Sequence, residues 1–363
     1  MYQYPVYRPS LDGNEKKYVN ECIDSTWISS RGKFVTEFEK QFSQAIGVEH
    51  SIAVTNGTTA IHLAMLALGI SHNDEVIVPT LTYIASVNPI RYVGAIPVFA
   101  DSLVETWQLD PTDIAKKISP RTKAIIVVHL YGQPCEMNEI CVLAKQHGLF
   151  VIEDCAEAFG SLYHGQSVGN FGDIATFSFF GNKTITCGEG GMVSTNDETL
   201  YDRCQHFKGQ GLAQYREYWH DVVGYNFRMT NIAAAIGLAQ LEQANVFIEK
   251  KRCIARWYIE GLQGLPIEYQ HEQSHSKHSY WMFSILAEDR VVRDQLREYL
   301  KNNGIETRPL FFPVHTMPMY ADKFQKHPVA ENLSWCGINL PSYPALEQSD
   351  VILICQTIRN FFQ

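Results

Sequence analysis

A lysine set between an aromatic run and a cluster of glycines is the first residue here that could do chemistry. It lies in Thr176-Phe177-Ser178-Phe179-Phe180-Gly181-Asn182-Lys183, which leads on to Gly188-Glu189-Gly190-Gly191. Apolar surroundings disfavour an ammonium group, so Lys183 is expected to have a lowered pKa. A neutral amine is what Schiff-base formation with an aldehyde requires. The glycines would let the backbone approach a flat ring closely. Alone, Lys183 would equally suit the surface of a hairpin. Upstream, Phe150-Val151-Ile152-Glu153-Asp154-Cys155-Ala156-Glu157 puts Asp154 at the carboxyl end of an apolar run, where open α/β sheets bind ligands. A desolvated carboxylate needs a cation, and a pyridinium nitrogen would supply one, although helix capping is a simpler use for an aspartate. As a pair, Asp154 and Lys183 suit a pyridine ring that bears an aldehyde.

Two further segments offer groups for an anion. Thr55-Asn56-Gly57-Thr58-Thr59-Ala60 reads as a strand end running into a helix, and the unpaired N–H groups of a helix start can hold a phosphate. A plain N-cap by Thr58 or Thr59 explains the same residues. Gly224-Tyr225-Asn226-Phe227-Arg228-Met229-Thr230-Asn231 opens a helix that Thr230 can cap, and leaves Asn226 and Arg228 as donors. Arg308 and His315 lie at a proline-rich stretch between Pro309 and Pro318. Arg308 suits a diphosphate, a carboxylate or a structural ion pair, and these alternatives stay open. His62, on an apolar helix, is expected in the core.

The elements that must position these groups recur in a simple order. Short apolar runs at Ser51–Thr55, Glu75–Pro79, Ala124–Leu130, Leu149–Glu153 and Ile174–Phe179 alternate with helical patterns such as Thr58–Leu68 and Asn138–His147. Such alternation predicts an α/β fold with a mostly parallel sheet, and almost wholly apolar runs predict helices on both faces. One long helix is expected over Asn231–Arg252, followed by mixed shorter elements, among them a strand at Tyr280–Leu286 and helices at Val291–Asn302 and Asp350–Phe361. We read a large domain over residues 1–245 and a smaller α+β domain over 246–363.

Composition narrows the partners. Among 363 residues, 39 acidic against 30 basic side chains give a net charge of −9, which argues against nucleic acid or a membrane surface as a partner. No apolar run approaches the roughly 20 residues that span a bilayer, and the first residues lack a signal-peptide pattern. The nine cysteines form no C-x-x-C pair and no zinc-type cluster. The expectation is a cytoplasmic protein with reduced thiols, no metal and small ligands.

These motifs together resemble the DegT-type sugar aminotransferases, fold-type-I enzymes dependent on pyridoxal 5′-phosphate (PLP). The likeness runs from Trp27-Ile28-Ser29-Ser30-Arg31-Gly32 to Thr307-Arg308-Pro309-Leu310-Phe311-Phe312-Pro313-Val314-His315. Within the family, Pro79-Thr80-Leu81-Thr82-Tyr83-Ile84-Ala85-Ser86-Val87-Asn88 and His206-Phe207-Lys208-Gly209-Gln210-Gly211-Leu212 are most similar to members that aminate GDP-4-keto-6-deoxy-D-mannose with L-glutamate, releasing 2-oxoglutarate. The resemblance implies that Lys183 holds the PLP aldehyde and shuttles a proton, that Asp154 meets the ring nitrogen and that Tyr83 stacks on the ring. It implies phosphate-binding positions at Gly57, Thr58 and Ser178, with Asn226 reaching the phosphate of a neighbouring subunit in a homodimer. Glu157 stands where many relatives place glutamine or histidine near the ring hydroxyl. Arg228, Arg308 and His315 are candidate substrate contacts. Other nucleotide-linked keto-sugars remain open as substrates. Relatives that remove a 3-hydroxyl carry histidine at the position of Lys183, and fold relatives without turnover normally lack the lysine or the aspartate.

Overall fold

The computed structural model describes residues 2–322 and 324–363. Seven strands make the main sheet: β1 (His50–Val54), β2 (Glu75–Pro79), β3 (Ile96–Ala100), β4 (Thr122–Val128), β5 (Phe150–Asp154), β6 (Ile174–Ser178) and β7 (Gly191–Thr195). Their order is β1-β7-β6-β5-β4-β2-β3. Pairing is parallel from β3 across to β6, and β7 runs antiparallel to both of its neighbours. Two apolar cores flank the sheet. One packs Ile52, Val54, Val76, Val78, Ile126 and Ile152 with the helix Gly57–Leu68. On another layer Phe38, Phe42, Phe177, Phe179 and Leu238 pack together. Burial on both faces accounts for the near-continuous apolar strands.

A second sheet of four antiparallel strands, β8 (Ile267–Tyr269), β9 (Phe283–Ala287), β10 (Arg308–Pro309) and β11 (Gly337–Leu340), has the order β8-β9-β11-β10. Its core contains Ile254, Tyr258, Phe283, Leu296, Ile338 and Ile354. Tyr4 of the N-terminal segment packs there too, paired with Ile305.

The single helix expected over Asn231–Arg252 is instead two, Asn231–Glu242 and Ala244–Gly261, meeting at Gln243. The first helix, with Ala244 and Phe247 at the start of the second, serves the main sheet's core, and the rest of the second helix serves the other. Ala234, Ala235 and Leu238 bury against the main sheet's phenylalanines, whereas Ile254, Ala255 and Tyr258 bury in the second core. The strand expected at Tyr280–Leu286 begins only at Phe283, because Tyr280 sits at φ 51° and breaks the extension.

Candidate active site

A cavity of about 540 Å³ opens at the carboxyl ends of β1, β4, β5 and β6. It is lined by Gly57, Thr58, Tyr83, Asp154, Glu157, Ser178, Lys183 and Arg308, so eight of the candidate residues converge there from five separate stretches of chain.

The anion end is built by the turn after β1. Asn56, rather than Thr58 or Thr59, caps the helix Gly57–Leu68: its side chain accepts from Thr59 N at 2.9 Å, and Thr59 Oγ1 accepts from Asn56 N at 3.2 Å. That reciprocal pairing fixes the helix start while leaving other first-turn N–H groups free for a ligand. Gly57 is required by packing, since a Cβ there would stand 2.8 Å from Ser178 Cβ. Its absence brings the helix start and Ser178 to the same end of the cavity.

The acid end is built by β5. Asp154 is buried, accepts from Ser86 Oγ at 2.7 Å through Oδ2 and from Ala156 N at 3.1 Å through Oδ1. Thr82 Oγ1 lies 2.9 Å from Ser86 Oγ and, with the serine proton committed to Asp154, donates to it. Burial pushes the Asp154 carboxyl up, against the opposing hydrogen bonds of Ser86 and Ala156 and the charge of Lys183. A carboxylate with unfilled acceptor sites and a raised pKa is one that an external cation would stabilise.

Between these ends stands Lys183, on the loop that joins β6 to β7. Its Nζ is 3.7 Å from Glu157 Oε1 and 3.9 Å from the centroid of the Trp281 ring. Burial holds its amine below the ordinary lysine range, only partly offset by Glu157 and Asp154. Glu157 Oε2 accepts from Tyr131 N at 2.8 Å. Burial pushes its carboxyl up to about 7, opposed by Lys183. The Lys183 turn itself is held from outside the main sheet, by Tyr7 Oη donating to Lys183 O at 2.5 Å and Trp281 Nε1 donating to Asn182 O at 2.7 Å.

Three candidates lie elsewhere. Asn226 and Arg228 are exposed, joined to each other by Arg228 Nε donating to Asn226 Oδ1 at 3.1 Å, and line no part of this chain's cavity. His315 does not face the cavity. Its ring is buried between Thr80 Oγ1 at 2.7 Å and Glu331 Oε1 at 3.2 Å, where it ties the proline-rich stretch to the end of β2. His62 is a core histidine packed against Tyr92, Tyr225 and Phe227. His129, Glu153 and Cys155 bring ligand-type atoms within 4.8 Å of one another. There the Glu153 oxygens are taken by His129 and the N–H groups of Gly169, Phe171 and Gly172, so the cluster is a closed hydrogen-bond network.

Sequence reasoning passed over Ser86, Trp281 and Tyr7. Thr82 and Ser86, four apart in a largely apolar stretch, were the only local sign of a hydroxyl relay.

The donor set fits PLP. A buried carboxylate with no ion pair among the described residues suits the pyridine nitrogen, a mostly buried amine suits the aldehyde, and a helix start with a serine beside it suits the phosphate. The comparisons agree. Residues 9–359 match the model of the DegT/DnrJ/EryC1/StrS aminotransferase family. The chain is 63% identical over 358 residues to a GDP-perosamine synthase of Escherichia coli O157:H7, covering 99% of this chain and 98% of that one. It is 52% identical over 362 residues to a GDP-perosamine synthase of Vibrio cholerae, covering 99% of each. Among solved structures it is similar to Spr1654 of Streptococcus pneumoniae in its PLP form, with a TM-score of 0.94 at 26% identity over 99% of this chain and 98% of that one. The chain belongs to the DegT/DnrJ/EryC1/StrS aminotransferase family, a family of PLP-dependent transaminases.

Proposed function

We propose that this transaminase moves the amino group of L-glutamate to the C4 keto group of GDP-4-keto-6-deoxy-D-mannose, giving GDP-perosamine for polysaccharide synthesis. The observation that carries the reading is Lys183 and Asp154 lining one cavity in a chain that is full-length similar to two GDP-perosamine synthases.

Bound PLP supplies an electron sink for the charge left when a proton departs from the carbon bearing the amine. The chain's residues do the rest. Asp154 holds a positive ring nitrogen, with Ser86 and Ala156 N–H fixing both of its oxygens. Lys183 would hold the aldehyde through its amine, and its Nζ would act as the base and acid that moves the proton. Its lowered pKa raises the share of the amine that is neutral. Glu157 Oε1, 3.7 Å from Lys183 Nζ and with its carboxyl pushed up to about 7, would exchange a proton with that amine and serve the ring hydroxyl. Gly57, Thr58 and Ser178 hold the phosphate, and Tyr83 covers the ring. Arg308 is the candidate for the sugar diphosphate.

Asn226 and Arg228, exposed and outside their own cavity, suit a homodimer in which each copy completes the other's site. A cytoplasmic enzyme fits these substrates, and no helix among the described residues is long and apolar enough to cross a membrane. The test is a panel of GDP-, UDP- and dTDP-linked 4-keto-sugars incubated with glutamate and read by product mass. Amination of the GDP-linked sugar alone supports the proposal. Preference for another nucleotide overturns the substrate, and loss of the 3-hydroxyl without amination overturns the reaction.

A further inference from the structure

We propose that Lys251 is a positioning residue for catalysis, the pin that seats Tyr7 and Trp281 on the backbone of the Lys183 turn. The inference rests on the reading of Lys183 as the catalytic amine.

Lys251 lies in the helix Ala244–Gly261 and is 1% exposed. An apolar side chain would fill the same space without desolvating a charge. What distinguishes lysine there is where its donors go. Nζ donates to Trp281 O at 3.0 Å and to Ser342 O at 2.8 Å, and lies 4.8 Å from the centre of the Tyr7 ring. No carboxylate forms an ion pair with it among the described residues, so two carbonyls and one aromatic face are its whole polar environment. Burial accordingly lowers its amine to about 7.

Both aromatic partners of Lys251 are also partners of the active-site turn. Tyr7 Oη donates to Lys183 O, and Trp281 Nε1 donates to Asn182 O, while the Trp281 ring lies against Lys183 Nζ. Three segments far apart in sequence therefore meet at one ammonium: the N-terminal segment, the loop before β9 and the loop after β11. The N-terminal segment is fastened to the last of these by Ser342 N donating to Val6 O at 3.1 Å. Through this arrangement the second core sets the orientation of an amine mounted on the main sheet.

Removing Nζ leaves the Trp281 and Ser342 carbonyls buried without a donor, so the Trp281 ring is expected to withdraw from Lys183. An aromatic face favours the positive form of a nearby nitrogen. Its withdrawal should lower the pH at which nitrogen at Lys183 loses its proton, by roughly half a unit to one unit.

The test uses PLP-loaded Lys251→Met and Tyr7→Phe. The second keeps the ring under Lys251 and deletes only the donor to Lys183 O. The pH midpoint of the bound cofactor's visible absorbance, kcat and the KM for the keto-sugar are measured for each. In Lys251→Met we expect a midpoint shifted to lower pH and kcat reduced about tenfold with KM within twofold. Tyr7→Phe should give the same pattern at smaller size. Unchanged midpoint and kcat in a folded Lys251→Met protein, even with a lower melting temperature, would make Lys251 merely structural and overturn the proposal. If Lys251→Met does not fold, an unchanged Tyr7→Phe protein overturns it. Lys183→Ala runs alongside: retained turnover there would instead overturn the reading of Lys183.

Discussion

Glu153 and Asp154 are neighbours at the end of one strand, both buried, and they are put to opposite uses. Glu153 points to the closed side of the sheet. Its Oε1 accepts from Phe171 N and Gly172 N, both at 2.7 Å, and its Oε2 accepts from Gly169 N at 2.8 Å and His129 Nε2 at 3.1 Å. His129 Nδ1 accepts from Cys135 N, so the proton sits on Nε2 and faces the carboxylate. All four acceptor sites of Glu153 are filled. Burial alone would raise its pKa, but His129 and the N–H groups of Gly172 and Gly169 win, and its carboxyl is held below the ordinary range. Asp154 points to the cavity with two donors, and there burial wins. The completed hydrogen-bond set makes one acid a brace, and the incomplete set leaves the other with acceptor sites open toward the cavity.

Substitution at Asp154 should therefore have the largest effect on chemistry. We expect Asp154→Ala to lower kcat by about a thousandfold, the scale of losing a preorganised electrostatic partner, with the fold retained by circular dichroism. A wild-type-like kcat would erase the contrast with Glu153. Glu153→Gln should do the reverse. An amide cannot accept four hydrogen bonds, and three backbone N–H groups and His129 lose part of their partner. We expect about 3 kcal/mol of stability to go in denaturant unfolding, with kcat of the folded fraction within a fewfold of the parent.

Glu157 sharpens the comparison through pH. Its folded-state pKa of about 7 lies above the ordinary 4.5, so its contribution to stability is fully present below pH 4.5 and is lost as pH rises through 7. In the cofactor-free protein, Glu157→Gln should flatten this decline, by up to about 3 kcal/mol between those limits. Glu153, with a lowered pKa, contributes in the opposite sense: its stabilisation is present above pH 4.5 and is lost as the medium becomes more acidic. Unfolding curves carried from pH 8 down to well below pH 4 check both signs. The smallest effect is expected at the cavity rim. Arg308 is more than half exposed and, among the described residues, pairs only with Glu306, at 3.4 Å, so Arg308→Ala should raise the KM for the keto-sugar severalfold and leave kcat nearly unchanged.

The alternating apolar runs made the main sheet legible, because strands buried on both faces cannot hide their composition. Lys183 and Asp154 were legible together, since each alone had an ordinary structural explanation. Trp281 and Tyr7 were not: they reach the Lys183 turn from 99 and 176 residues away in the chain, and no local pattern encodes that approach. His315 failed for a related reason. A histidine beside prolines says nothing of which way its ring turns, and here Thr80 and Glu331 claim it. The break at Gln243 was hidden because Asn231–Glu242 is apolar nearly all round, so no change of period marks where Ala244–Gly261 begins its own apolar stripe.

The central claim is that Lys183, of the chain's buried lysines, is the one that carries the cofactor. Borohydride reduction of the PLP-loaded protein, followed by digestion and peptide mass analysis, tests it directly. The cofactor's mass is expected on the peptide containing Lys183 and on neither of those containing Lys208 or Lys251. Cofactor mass on either of those peptides, with Lys183 unmodified, would contradict it.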